Sequence, residues 1–185
     1  MRGAVFLDRD GTLIEEAGYL DRLERIQLFP YTIDAVRLLN RAGFTVVVIS
    51  NQSGVARGFF DEGFVQQTHT HLSKIFANGG AAIDAFYYCP HHPEGTVATY
   101  RHACDCRKPK PGLLERAARD HGIDLRHSFV VGDRMNDVET GRAVSARSVL
   151  VRTGYGTEHE TAARERGALV VDNLIGAVAW ILQQP

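Results

Sequence analysis

A chain of 185 residues suits one domain with a substantial core. Its 21 basic and 22 acidic residues nearly cancel, to a formal charge of −1, which argues against nucleic acid or an anionic membrane surface as the main partner. No apolar run approaches the ~18 residues of a membrane span, and an apolar strand already begins at residue 4, so no membrane anchor or signal peptide is expected and the cytoplasm is the expected compartment.

Residues 4–7, Ala-Val-Phe-Leu, predict a buried strand. The strand runs directly into Asp8-Arg9-Asp10-Gly11-Thr12. Two carboxylates one residue apart share a side of an extended chain and repel unless a divalent cation joins them or one holds a proton. Asp-Xaa-Asp-Gly also suits ordinary turns and calcium loops; its place at the carboxyl end of a buried strand, where open α/β sheets bind ligands, favours a site. Residues 15–29, with Gly18 and Tyr19, form a loop long enough to suggest a functional role.

Thr32 is expected to cap a helix with Ile33, Val36, Leu39 and Ala42 on its inner face, stopped by Gly43. Residues 44–49 read as a second buried strand, whose nearly continuous apolar run favours a parallel sheet. It ends in a second polar cluster, Ser50-Asn51-Gln52-Ser53-Gly54. Asp61 suits the N-cap of the next helix, on which His69 and His71 are expected to face solvent. Residues 83–88 predict a third strand.

All three cysteines fall in one window: Cys89-Pro90-His91-His92 opens a loop and Cys104-Asp105-Cys106 closes it. Three thiolates and an imidazole make the ligand set of a closed tetrahedral structural zinc site, with no position left for a catalytic water. His91, His92 and His102 are the candidate imidazoles. A metal clasp would shape a loop too poor in apolar residues to fix itself by burial. Arg107 and Lys108 follow the last cysteine directly, and Pro111 begins a helix that Gly122 ends. Residues 128–131 predict a strand leading into a third acidic cluster, Gly132-Asp133-Arg134-Met135-Asn136-Asp137, with Asp137 on the first turn of a helix. Further strands are expected at 148–151 and 168–171, and a last helix at 173–182.

Asp8-Arg9-Asp10-Gly11-Thr12, Ser50, Lys108 and Asp133 through Asp137 resemble, in order, the four motifs of the haloacid-dehalogenase-like phosphatases. The resemblance spans essentially the whole chain. It implies a three-layer Rossmann-like α/β sandwich over residues 1–185, with a mainly parallel sheet, no separate cap domain, and a zinc-stapled loop at 89–106. It also implies Asp8 as nucleophile and Asp10 as general acid/base, with Ser50 and Lys108 stabilising the phosphoryl group. Magnesium would be held by Asp8, Asp133 and the backbone carbonyl of Asp10, and Asp137 would orient the metal site.

The longer runs from Asn51 to Gly58 and from Cys89 to Gly112 resemble the branch containing heptose-bisphosphate and histidinol-phosphate phosphatases. That branch's Cys-Xaa-His spacing selects His91, with Cys89, Cys104 and Cys106, as the zinc ligands. It places substrate contacts at Gly18, Tyr19, Asn51, Gln52, Ser53, Arg107 and Arg134. The expectation is a monomeric phosphatase acting on a small phosphorylated sugar. The rivals are a histidinol-phosphate phosphatase, a phosphoaspartate receiver and a non-catalytic zinc-stapled binding module. One departure stands out: Ser145-Ala146-Arg147 replaces the Ala-Gly pair usual before the fifth strand.

Overall fold

The computed structural model describes residues 3–184. Six parallel strands form one sheet: β1 (Ala4–Leu7), β2 (Thr45–Asn51), β3 (Ala85–Cys89), β4 (Phe129–Gly132), β5 (Arg147–Val151) and β6 (Leu169–Val171), in the order β3-β2-β1-β4-β5-β6. The expected sandwich with a parallel sheet is therefore present. The helices are α1 (Thr32–Arg41), α2 (Glu62–Asn78), α3 (Gly112–His121), α4 (Met135–Ala143), α5 (Gly156–Glu165) and α6 (Leu174–Ile181). Strand alternation sorts the core into two layers. Val5, Leu7, Val46, Val48 and Val131 meet α1, α2 and α6; Ala4, Phe6, Val47, Ile49 and Val130 meet α3 on the other face. No second sheet that a cap domain would supply occurs among the described residues.

Strand order reverses between β1 and β4, so the chain segments leaving these strands diverge and open a crevice at their carboxyl ends. Asp8 and Asp133 are the first residues beyond β1 and β4. β2 runs two residues further than the sequence suggested, so Ser50 and Asn51 lie on the rigid strand rather than in a turn.

Several local expectations change. Thr32 is not the cap of α1: Tyr31 holds that position, and the buried Thr32 hydroxyl donates to the Leu13 carbonyl. His69 does not face solvent. It is buried, stacked on Phe86 with centroids 4.6 Å apart, and burial, followed by the nearby Arg9, lowers its pKa to about 3. Helix α5 was not anticipated, because of its ten residues only Gly156 and Ala163 are buried and no apolar stripe announces it. Ser145 adopts a left-handed backbone with φ 60°, a conformation glycine takes without strain; the glycine usual in this turn answers a real backbone demand.

Candidate active site

Four buried side chains form the centre. Lys108 Nζ donates to Asp8 Oδ1 at 2.6 Å, to Asp137 Oδ1 at 2.6 Å and to the Ile49 carbonyl at 3.0 Å, so all three of its protons are engaged. Burial alone would lower its pKa, but Asp137 and Asp8 outweigh that and hold the ammonium charged. Asp8 is pushed well above the usual carboxylate range, by burial first and then by Asp137, Asp133 and Asp10, against the pull of Lys108. Asp133 rises to about 7, again by burial, although the Tyr155 backbone N–H on its Oδ2 opposes the shift.

Three buried acids thus share one cation, Lys108. Oxygens of Asp8, Asp133 and Asp137 lie within 4.8 Å of one another, and Asp133 Oδ1 is buried with no hydrogen-bond partner among the described residues. Magnesium coordinates oxygen at ~2.0–2.1 Å, so opposite ligands stand ~4.1 Å apart, a spacing this cluster accommodates. A divalent cation held there would oppose the upward shifts at Asp8 and Asp133. Gly11 and Gly154 close around Asp133, and a Cβ at either would collide with its carboxylate.

Asp10 stands apart from that carboxylate cluster. Its carboxylate accepts from Arg9 Nε at 3.1 Å, Arg9 Nη2 at 3.0 Å and Gln52 Nε2 at 3.0 Å; Arg9 Nη2 also donates to Gln52 Oε1. Asp8 and Asp10 therefore do not share one metal through their side chains. Ser50 Oγ is buried with no partner among the described residues, a donor at the end of β2 awaiting an acceptor.

Asp8, Asp10, Lys108 and Asp137 line a cleft of about 330 Å³ together with Gly18, Tyr19, Asn51, Gln52, Ser53, Arg107 and Arg134, while Asp133 and Ser50 are buried behind its wall. The sequence-predicted contacts thus converge, though several are engaged within the protein. The Asn51 amide brackets the Lys108 backbone, donating to its carbonyl and accepting from its N–H, both at 3.0 Å. Arg134 pairs with Glu16 at 3.2 Å and lies 3.9 Å over the Tyr155 ring. Tyr19, half exposed, meets Phe59 edge-on across the rim. Sequence reasoning missed Arg9, Glu16, Arg57, Phe60, His92, Asn136 and Tyr155 as lining residues. Arg9 had a signal in its place between the two acids, Arg57 and Asn136 in the motifs that contain them, and His92 in its place beside His91.

Next in the chain to the cleft residues His92 and Arg107, the cysteine and histidine side chains come together. Cys89, Cys104 and Cys106 sulfurs stand 3.5 and 3.3 Å apart in sequence, and His91 Nδ1 lies 3.3 Å from Cys106. A tetrahedron of thiolates at ~2.3 Å from zinc has edges of ~3.8 Å, so the four atoms fit one ion with a small expansion. Contacts with Cys89 first, and with Cys104 and His91, draw Cys106 down to about 5 against burial, whereas the Cys89 thiol is pushed up by its contact with Cys106 and by burial. His91 is the imidazole in the cluster; His102 only packs against its ring, at 4.3 Å, and His92 turns toward Arg57.

A buried acid facing a lysine, a metal-competent acid beside it and an unpaired hydroxyl suit phosphoryl transfer, in which positioning and charge stabilisation do most of the work. The comparisons agree. The HAD-hyrolase-like family model matches residues 105–177. The D-glycero-beta-D-manno-heptose-1,7-bisphosphate 7-phosphatase of Photorhabdus laumondii is 41% identical over 174 residues, covering 92% of this chain and 90% of its own length. Its counterpart in Pseudomonas aeruginosa is 37% identical over 183 residues, covering 98% and 99%. The crystal structure of D,D-heptose 1.7-bisphosphate phosphatase from B. bronchiseptica, complexed with magnesium and phosphate, matches with a TM-score of 0.88 at 30% identity, covering 99% of both chains. The fold and site are those of a HAD-like hydrolase. The chain belongs to the heptose-bisphosphate phosphatase family of that superfamily.

Proposed function

We propose that this protein hydrolyses the 7-phosphate of D-glycero-D-manno-heptose 1,7-bisphosphate, a step toward activated heptose for lipopolysaccharide or surface glycans. The relatives' names support that substrate. The observation that carries it is a second cationic group, Arg107, in the same cleft as the Asp8–Lys108 centre. A single phosphate, already served at that centre, leaves Arg107 without a counter-ion; a bisphosphate does not.

Asp8 attacks phosphorus in line and forms an aspartyl phosphate. Asp10 protonates the departing sugar oxygen, then takes a proton from the water that cleaves the acyl phosphate. Arg9 and Gln52 keep the Asp10 carboxyl oriented while it waits. Ser50 donates to the oxygens on which charge accumulates, and Lys108 joins it by turning the proton it gives Asp8 toward the phosphoryl group as Asp8 forms its bond to phosphorus. Asp8, Asp133 and the Asp10 carbonyl would hold magnesium, which would supply positive charge against the phosphate; the B. bronchiseptica structure, which holds magnesium and phosphate, supports magnesium as the metal. Asp137, fixed on Lys108 and on the Arg134 N–H, holds the lysine in place. Cys89, His91, Cys104 and Cys106 would hold zinc, which would shape the loop that leads directly into Arg107. No helix among the described residues is long and apolar enough to cross a membrane.

The test is phosphate release from both anomers of the heptose bisphosphate, heptose 7-phosphate and histidinol phosphate. The bisphosphate should be preferred; preference for histidinol phosphate, whose ammonium Arg107 would repel, overturns the reading. Arg107→Ala should lower kcat/KM for the bisphosphate by roughly ten- to a hundredfold, the loss of a charge-assisted contact, with little change for the monophosphate. Equal losses on both substrates would move Arg107 to the reacting phosphoryl group.

Zinc carries its own expectation. Elemental analysis of purified protein should find one zinc per chain. Cys104→Ser should lose most of that metal and lower the melting temperature, because one thiolate of four is replaced by a poor ligand. Metal-replete, reduced protein without zinc would refute the site.

A further inference from the structure

The cleft holds an unfinished hydrogen-bond arrangement away from the Asp8–Lys108 centre. Arg57 Nη2 and His92 Nε2 lie 3.5 Å apart. His92 Nδ1 accepts the Glu94 backbone N–H at 3.1 Å. A backbone N–H can only donate, so Nδ1 carries no proton and Nε2 of the ring bears it. Arg57 has no acceptor lone pair. Two donors therefore point at each other with no acceptor between them. Arg57 Nε is also buried without a partner among the described residues. An unmatched donor away from water costs stability unless some acceptor completes it.

The arrangement is held in place from both sides. The Ala56 carbonyl accepts from Thr96 N at 2.8 Å and Val97 N at 2.9 Å, tying the segment that bears Arg57 to the zinc loop that bears His92. The approach is close enough that a Cβ on Gly95 would strike the Ala56 carbonyl, at 2.7 Å. The His92 N–H is anchored on the Tyr100 carbonyl, and the Tyr100 hydroxyl in turn donates to Glu62 of α2 at 2.7 Å. Arg57 and His92 are thus fixed before any ligand arrives, and Arg107 lines the same cleft.

We infer that Arg57 and His92, with Arg107, form a preorganised cradle for the second phosphate of the substrate, the one that is not cleaved. This rests on the bisphosphatase reading and adds to it two binding residues from separate loops. A phosphate oxygen between Arg57 Nη2 and His92 Nε2 accepts from both, and a second oxygen of the group can accept from Arg57 Nε. The transferring phosphoryl group has its own donors in Ser50 and Lys108, so the cradle selects for a substrate with two phosphates rather than driving the chemical step. It also lets the zinc loop contribute a ligand-binding side chain, His92, directly beside its metal-binding one.

The experiment compares wild type, Arg57→Met, Arg57→Lys and His92→Phe, with zinc content and melting temperature measured for each. The readouts are kcat/KM for the heptose bisphosphate relative to heptose 7-phosphate, and inhibition by heptose 1-phosphate, the product that retains only the second phosphate. Arg57→Met should reduce the substrate ratio roughly ten- to a hundredfold and weaken product inhibition in parallel, the loss falling mainly on KM. Arg57→Lys should restore part of it, because charge returns without the planar fork. His92→Phe, which keeps a ring and removes the donor, should cost less than Arg57→Met, in the same direction. Unchanged ratio and unchanged product inhibition in zinc-loaded Arg57→Met and His92→Phe overturn the cradle while leaving the bisphosphatase reading intact. Equal losses on both substrates overturn it too, by placing Arg57 at the reacting group. A wild type with no preference for the bisphosphate sinks the functional reading, and the cradle with it. If Arg57→Met does not fold, Arg57→Lys and His92→Phe decide.

Discussion

Asp8→Asn is expected to lower turnover by at least about four orders of magnitude while leaving the fold intact, because an amide cannot form the acyl phosphate on which the mechanism depends. The fold should tolerate it for a specific reason. Asp8 is buried, and burial already disfavours its ionised form. An asparagine keeps an oxygen that can accept from Lys108 Nζ, so the lysine retains its three partners. Asp10→Asn should also be severely slowed, but at a different stage. It retains the nucleophile, and without the base it should accumulate phosphoenzyme when given an activated substrate with a good leaving group. The measurement is single-turnover kinetics with acid-quench detection of protein-bound phosphate. Asp8→Asn should show neither product nor adduct; near-normal rates in both variants would remove these two residues from the mechanism.

The parts that the sequence made legible share a physical form. Asp8 and Asp133 each end a short apolar strand that has no solvent-exposed residue, so an acid there is conspicuous. The zinc ligands are legible because Cys89, Cys104 and Cys106 are the only cysteines and close one loop. What stayed hidden depends on contacts between segments far apart in the chain. His69 sits where a helix period leaves its exposure open, and only β3, placing Phe86 and Tyr88 against it, decides that it is buried. The hold of Gln52 on Asp10 spans 42 positions, and the approach of Arg57 to His92 spans 35. Neither leaves a local pattern. Helix α5 fails the opposite test: it is locally helical but nearly without a buried face, so the hydrophobic period that reveals the other helices is missing. Asp8 and Asp10 line the same cleft, but Arg9 and Gln52 hold the Asp10 carboxylate outside the cluster that Asp8 forms with Asp133 and Asp137, and no local pattern shows this.

Lys108→Met is expected to damage both stability and activity, and the two losses should separate under magnesium. The lysine is 3% exposed and is the one cation placed directly between Asp8 and Asp137. Removing it leaves two buried acids with no counter-charge in the metal-free protein. Breaking a buried pair in this way costs about 3–5 kcal/mol, which for a chain of this size is a fall of roughly 6–20 °C in melting temperature. Part of that cost disappears as the acids take up protons, so the deficit should shrink at lower pH. Saturating magnesium should also recover part of the stability, since a divalent cation near Asp8 and Asp133 supplies charge to the same pocket. It should not recover the rate. The Nζ donor lies 2.6 Å from the proposed nucleophile, and no metal can occupy its position on the far side, against the Ile49 carbonyl. A loss of at least about a hundredfold in kcat should therefore persist at full magnesium occupancy. Lys108→Arg should not rescue it, because a planar guanidinium cannot direct three donors to Asp8, Asp137 and Ile49 from one point. The measurement is a melting curve and a kcat for each variant across a magnesium titration. If magnesium restores turnover in step with stability, Lys108 serves only to neutralise the acids, and its proposed contact with the transferring phosphoryl group is refuted.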